Sequence, residues 1–168
     1  MIDVVMQRLA AMGVDLPVPP QPMGSYVPVI EAGSMLFVSM QGPLVNGRPA
    51  HIGLLGHALS VEQGRDAAKC AAINALAQIH RHLGGFTRIR QIIRLDGYVA
   101  CTDEFLSHPQ VIDGASDLLA AAFEDRAGHV RSLCGVRNLP GNIPVGVAIC
   151  AELLPAASQQ PPADTFPD

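Results

Sequence analysis

The side chains that could act as nucleophiles, bases or metal ligands in this chain include four cysteines and six histidines. No two cysteines form a Cys-x-x-Cys pair, and each one lies in an apolar stretch of the sequence. This pattern predicts buried, reduced thiols in a cytosolic protein. The four positions are Cys70, Cys101, Cys134 and Cys150.

The histidines do not show the spacing of a metal site. His80 and His82 stand two positions apart, so on a helix they point in different directions and cannot clamp one ion. Near a helix C-terminus they would instead interact favourably with the helix dipole. His51 and His57 lie in a glycine-rich loop without an acidic residue close by in the sequence. We therefore predict no metal site.

The composition argues against two classes of partner. Charged residues make up 15% of the chain, the net charge is -4, Lys69 is the only lysine and tryptophan is absent. A nucleic-acid-binding protein needs clustered cations or a platform of aromatic rings, and neither is present. No apolar run approaches the ~18 residues that a membrane span needs. Asp3 and Arg8 interrupt the apolar pattern of residues 1–12, and no clear cleavage site follows, so this segment does not have the pattern of a secretory signal. We therefore expect a cytoplasmic protein.

Hydrophobic periodicity predicts two long helices set between strands. Ser60 and Gln63 have the spacing of a capping box, an apolar stripe runs through residues 68–83, and Gly84 stops the helix. The second helix has Pro109 in its first turn, where a missing N–H costs nothing. The predicted strands are 27–30, 35–40, 93–101, 131–137 and 143–153.

The ends of the chain differ from its middle. Residues 2–12 predict a short amphipathic helix, and the proline-rich stretch 16–22 predicts an extended linker. We therefore place a helix and linker at 1–22 and one domain at 23–154. Residues 155–168 are rich in Pro, Gln, Ala and Asp, which predicts a disordered tail.

The order of elements predicts an α+β fold, one sheet with both helices on one face. The last predicted strand is apolar on both faces, since Gly146, Ala148 and Cys150 lie opposite a row of Val and Ile. Such a strand is typical of a sheet buried on both sides, and one chain offers nothing to cover the second face. Apolar residues make up 49% of the chain, which also favours burial between subunits.

Seven segments together resemble the RidA/YjgF family, also known as endoribonuclease L-PSP, in its longer variant. They are LFVSMQGP at 36–43, GRPAHIGLLG at 47–56, AAINAL at 71–76, LDGYV at 95–99, GASDL at 114–118, HVRSLCGV at 129–136 and LPGNIPV at 139–145. Each segment is weak alone, but their order and spacing are specific. The resemblance covers about residues 24–153.

The resemblance implies a chorismate-mutase-like fold with one mixed sheet, assembled into a homotrimeric barrel with clefts between subunits. It also implies that a small carboxylate binds in those clefts. The best-known activity of the family is hydrolysis of enamines and imines such as 2-aminoacrylate, and it needs no metal or organic cofactor.

Carried over residue by residue, the family's carboxylate-binding arginine falls on Arg131, beside Ser132 and Cys134. Its planar guanidinium fits a carboxylate in a way that lysine would not. The pocket tyrosine of the family matches Tyr26. The alternatives are an ordinary ion pair for Arg131 and a packing role for Tyr26.

Two departures change the expected site. The family's Ser-Gly-Gln is Ser39-Met40-Gln41 here, so Met40 either reshapes the cleft or turns into the core. Deaminating members carry a glutamate in the last strand, where this chain has Gly146.

Hydrolysis still needs a group that moves protons. Asp113, His129 and Glu152 are candidates for that role, and no spacing selects one of them. Cys134 is a candidate nucleophile, with a buried inert thiol as its alternative.

Three functions follow from these expectations. The first is an enamine or imine deaminase, or a related hydrolase, with an altered site. The second is a non-catalytic trimer that binds a metabolite or a protein. The third, which the endoribonuclease name of the family suggests, is an endoribonuclease or translation inhibitor, and the acidic composition disfavours it.

Overall fold

A computed structural model describes residues 2–155 of the chain. Its largest sheet has five strands in the order β1-β2-β7-β5-β6. The strands are β1 (Val29–Ala32), β2 (Met35–Gln41), β5 (Ile89–Ala100), β6 (Val130–Val136) and β7 (Val145–Leu153), and the helices are α1 (Val4–Ala11), α2 (Val61–Leu83) and α3 (His108–Phe123). Of these five strands, only β5 and β6 pair in parallel, so the sheet is mixed as predicted.

The longest helix begins and ends where its capping residues predict. The Ser60 hydroxyl accepts from the Gln63 N–H at 3.2 Å, and the Gln63 side chain accepts from the Ser60 N–H at 2.9 Å. Gly84 ends α2 in the left-handed region, with φ of 73°. A Cβ on Gly114 of α3 would overlap the Arg65 carbonyl oxygen. Glycine at 114 therefore lets α3 lie directly on α2.

The short N-terminal helix predicted at 2–12 is confirmed as α1 (Val4–Ala11), and it packs beside α3. Asp3 caps α1 by accepting from the N–H groups of Val5 and Met6, and its other oxygen accepts from the Phe86 N–H at 2.6 Å. Val5 and Leu9 of α1 belong to the main hydrophobic core. The N-terminal helix is therefore fixed to the same core as α2 and α3.

Several predicted boundaries move. The fifth strand begins at Ile89 rather than 93, because irregularities in its pairing with β7 at 89–91 and 92–94 break the alternation of side chains. The predicted loop at 42–56 contains a small hairpin of β3 (Leu44–Val45) and β4 (Arg48–Pro49). The predicted tail, 155–168, lies outside the described residues except at its first position.

The helices cover one face of the sheet, and the opposite face carries Gly146, Ala148 and Cys150 of β7, as the sequence predicted. Val145, Val147 and Ile149 of β7 are buried towards the helices. We call the opposite side the open face. On it, Phe37 pairs in register with Ile30 and Cys150, and Phe37 and Ile30 are exposed. Among the described residues, no helix is long and apolar enough to cross a bilayer.

The contribution of the Ser60 capping bond to stability can be tested by mutation. Ser60→Ala removes a capping hydrogen bond, so it should lower the free energy of unfolding by about 1 kcal/mol. Urea denaturation at one fixed protein concentration measures the change. Ser107→Ala is the matched control, because Ser107 precedes α3 without a side-chain capping bond. Equal losses in the two variants would contradict a stabilising role for the capping box.

Candidate functional site

Arg131 faces the helices from the edge strand β6. It pairs in register with Leu95, whose side chain is fully buried on the helix side. One terminal nitrogen of its guanidinium donates to the Asp113 carboxylate at 2.7 Å and to the Ser116 hydroxyl at 3.2 Å. The Arg131 side chain is 23% exposed. The site therefore already binds one carboxylate, supplied by α3, and remains open to solvent.

The surroundings of Arg131 contain further polar groups. Asp113 lies 4.0 Å from Arg65, so two cations flank this carboxylate. His129 stands one residue before β6, and its Nε2 is 3.0 Å from the Ser116 hydroxyl oxygen. We call Asp113, Ser116, His129 and Arg131 the β6 edge cluster.

Met40 lies over Gly146 on the open face. The pairing of β2 with β7 shifts between Val38 and Gln41, which is a bulge that contains Ser39 and Met40. A Cβ on Gly146 would lie 2.5 Å from the Met40 sulfur and 2.8 Å from its Cγ. The methionine therefore fills the space that a side chain at 146 would need.

The bulge sends the next residue, Gln41, into the core. Its side chain is 6% exposed, its amide nitrogen donates to the Ser39 carbonyl and hydroxyl oxygens at 3.2 Å, and its amide oxygen accepts from Gln78 at 3.3 Å. Of the two predicted alternatives for Met40, reshaping the cleft fits this geometry, since Met40 stays half-buried on the open face.

Tyr26 lines a cleft of about 610 Å³ between the proline-rich segment, the start of β1 and the end of α2. Tyr26 is 47% exposed, and its hydroxyl accepts from the Met23 N–H at 3.3 Å. A smaller adjoining hollow is lined by both Tyr26 and Met40. These two predicted site residues are therefore neighbours.

On β6, Ser132 and Cys134 face away from Arg131, because side chains alternate along a strand. The Ser132 hydroxyl accepts from Arg94 at 3.2 Å, and Arg94 is paired with Asp96 at 2.8 Å. The hydrogen bond to Asp96 raises the pKa of the Arg94 guanidinium above its usual value. Cys134 is exposed.

The other three thiols are weak nucleophiles at neutral pH. Burial raises the pKa values of Cys70, Cys101 and Cys150, so these thiols remain protonated. Cys101 lies 3.3 Å from the His108 Nε2. Within residues 2–155, no three His, Cys, Asp or Glu side chains are arranged to hold a metal ion.

Glu31 and Glu152 each form an ion pair with an arginine. Arg88 donates to both oxygens of Glu31 on β1, which lowers the pKa of that carboxyl below its usual value. Glu152 pairs with Arg90 at 3.2 Å. It lies six residues beyond Gly146 on β7, roughly 20 Å along the strand. Glu152 therefore cannot replace a side chain at 146 within the same chain.

The predicted site residues fall at opposite edges of the sheet. Arg131 lies on β6, whereas Tyr26 precedes β1, four strand spacings away. At ~4.8 Å per spacing the separation is roughly 19 Å, too far for one small molecule to touch both. Arg131 and Met40 also lie on opposite faces. Within one chain, the structure does not bring the two halves of the predicted site together.

Comparison with known proteins identifies the family. A family model described as "YjgF/chorismate mutase-like, putative endoribonuclease" matches residues 6–153. The chain belongs to this family. The resemblance seen in the sequence is thereby confirmed, and with it the chorismate-mutase-like α+β fold.

Individual relatives support the family assignment. Protein TCP17 of Trypanosoma cruzi is 32% identical over 150 residues, which cover 89% of this chain and 94% of that protein. A solved structure from Shewanella oneidensis, described as a "putative endoribonuclease", is 35% identical with a TM-score of 0.87 and coverage of 89% and 99%. A protein of unknown function from Agrobacterium tumefaciens is 37% identical, with a TM-score of 0.84 and coverage of 90% and 93%.

Two features of the candidate site were not predicted from the sequence. Asp113 and His129 were considered only as replacements for a missing acid, and Ser116 was not singled out at all. Asp113 and Ser116 are three residues apart on α3, and His129 and Arg131 are two apart at β6, so each pair shares one side of its element. That spacing could have predicted that the members of each pair lie side by side. No sequence pattern could have predicted the contact of Met40 with Gly146, because it depends on a bulge in β2.

The packing of Met40 on Gly146 predicts energetic coupling. Gly146→Ala should destabilise the fold by about 1–3 kcal/mol, because the added methyl overlaps the methionine. In a Met40→Ala background the same change should cost at least about 0.5 kcal/mol less. Urea denaturation of the four proteins measures both effects.

Gly128→Ala is the control for this cycle, since an added Cβ there would have the Gln91 amide nitrogen as its nearest contact, at 3.7 Å. An identical cost for Gly146→Ala in both backgrounds would show that Met40 does not fill the space above Gly146.

Proposed function

We propose that this YjgF-family protein is a homotrimer that binds a small carboxylate metabolite in clefts between its subunits. The observation that carries the proposal is the division of the site residues between opposite edges of one sheet. In a ring of identical subunits, the β6 edge of one copy meets a different surface of the next. Such a ring can join Arg131 of one copy to Tyr26 and Met40 of another.

The open face supports an assembly of this kind. Ile30, Phe37 and Val130 are exposed on it at 55%, 42% and 66%. An apolar surface of this sort is typical of a subunit interface. Three sheets that face a common axis would cover one another and form the barrel that the family resemblance implies.

The chemistry of Arg131 supports a carboxylate ligand. Its 2.7 Å contact with the Asp113 carboxylate supports this choice, because the same guanidinium geometry fits the carboxylate of a ligand. Both hydrogen bonds found for Arg131 involve the same terminal nitrogen. A ligand carboxylate can therefore bind along the other edge of the guanidinium or displace Asp113.

A non-catalytic binding trimer is the second candidate function, and the packing of Met40 on Gly146 favours it. That contact fills the position of the glutamate used by deaminating members, so position 146 supplies no proton-transfer group. Hydrolysis of a 2-imino acid by the wild-type protein would identify an imine hydrolase, and its absence would favour the non-catalytic trimer.

Cleavage of RNA fits the described residues less well. Phosphate backbones are bound by free cations. Six arginines of the described part of the chain are instead paired with carboxylates: Arg8, Arg65, Arg88, Arg90, Arg94 and Arg131. The net charge of -4 also disfavours a polyanion.

The proposal predicts the size of the particle in solution. Three chains of 17.7 kDa give about 53 kDa. Multi-angle light scattering at micromolar concentration measures this mass directly. A stable monomer would contradict the intersubunit cleft, because one chain cannot join the two edges.

The proposal also predicts that Arg131 determines ligand affinity. Arg131→Ala should weaken binding of 2-oxo acids by about 1.5–3 kcal/mol, the scale of hydrogen bonds to a charged group. Titration calorimetry with pyruvate and 2-oxobutanoate measures the change.

Arg8→Ala is the matched control for this titration, since Arg8 is also paired with a carboxylate, Glu124, but lies outside the β6 edge cluster. Affinity that Arg131→Ala leaves unchanged would assign Arg131 a purely structural role.

A further inference from the structure

Ser116 and His129 form a hydrogen-bonded pair beside the proposed carboxylate site. The His129 Nδ1 lies 2.6 Å from the Ala127 carbonyl oxygen, which can only accept, so Nδ1 carries the ring proton in the neutral imidazole. The Nε2 lone pair then faces the Ser116 hydroxyl at 3.0 Å, and Ser116 donates to it. A carbonyl thus fixes the tautomer that leaves Nε2 free to accept a proton.

Arg131 contacts the same hydroxyl. Its guanidinium donates to the Ser116 oxygen at 3.2 Å while it is held by Asp113. A neighbouring cation stabilises negative charge on that oxygen as its proton moves towards His129. The hydroxyl therefore lies between a base and a cation, with a third group orienting the base, which is the usual arrangement of an activated hydroxyl.

We propose that Ser116 and His129 are the proton-transfer pair of this protein, acting on a 2-imino carboxylate whose carboxylate is bound by Arg131. This inference rests on the proposed function for the role of Arg131. The Arg131 nitrogen that binds Asp113 also donates to Ser116. A ligand carboxylate that displaces Asp113 from this nitrogen therefore brings its reacting carbon, one bond away, to Ser116. Ser116, His129 and Arg131 are each only half-buried, so a ligand can reach them.

The reaction balances without a cofactor. Water adds to the carbon of the protonated C=N group, the π electrons move to nitrogen, and the surplus proton passes through Ser116 to the His129 Nε2. His129 returns this proton to the amine nitrogen, and the C–N bond breaks with its electron pair on nitrogen. The hydroxyl proton then leaves with the ammonia, giving a 2-oxo acid and ammonium.

The test is hydrolysis of 2-iminopropanoate, produced in the assay from serine by a lyase through 2-aminoacrylate. Wild-type protein should speed ammonium release above the rate in buffer with the lyase alone. Ser116→Ala and His129→Gln should each lower that acceleration about 100-fold, the lower range for a positioned acid–base group. The double variant should lose little more, because the two residues act as a unit. Ser107→Ala, just before α3, and His57→Gln should retain wild-type rates.

Pyruvate titration of the same variants separates this inference from the proposed function. Binding should change less than threefold in Ser116→Ala and His129→Gln, and added imidazole should partly restore turnover to His129→Ala. No acceleration by the wild type, or full turnover in either single variant, would overturn the proton-transfer pair and leave carboxylate binding intact. If the proposed function is wrong, Arg131→Ala will leave the pyruvate affinity unchanged.

Discussion

The helices cover only one face of the five-stranded sheet, and the placement of every candidate site residue depends on that constraint. The buried face holds Val145, Val147 and Ile149 against α2 and α3, while the open face exposes Ile30 and Phe37. Burying this second face is worth roughly 25 cal/mol for each Å² of apolar surface removed from water. The same contact between copies would bring opposite sheet edges together, so assembly and site formation are one event in our proposal.

The two departures from the family pattern are linked by a single contact. Met40 stands where the family usually has glycine, and Gly146 stands where deaminating members have glutamate. The methionine sulfur lies where a side chain at 146 would begin. The two substitutions are thus sterically complementary, and changing either residue alone disturbs the packing. The consequence for function is that position 146 supplies no proton-transfer group, whereas the β6 edge cluster contains groups of that kind.

Local signals predicted much of the fold. The bounds of α2 could be predicted from the sequence, because each end is set by a few neighbouring residues. These are the capping box of Ser60 and Gln63 and the glycine at position 84. The start of β5 could not, because irregular pairing with β7 interrupts its alternation. Arg131 was identified through family resemblance, but its partner Asp113 is 18 residues away in the sequence. Such contacts depend on how α3 packs beside β6, which no local pattern specifies.

In our proposal, a ligand is bound between Arg131 of one copy and Tyr26 of the next. A crystal structure of the wild-type protein grown with 2-oxobutanoate tests it most directly. We expect a threefold ring in which the ligand carboxylate hydrogen-bonds to the Arg131 guanidinium, with Tyr26 and Met40 of a neighbouring copy closing the cleft. Ligand bound within a single chain away from Arg131, or a β6 edge that faces only solvent, would contradict it.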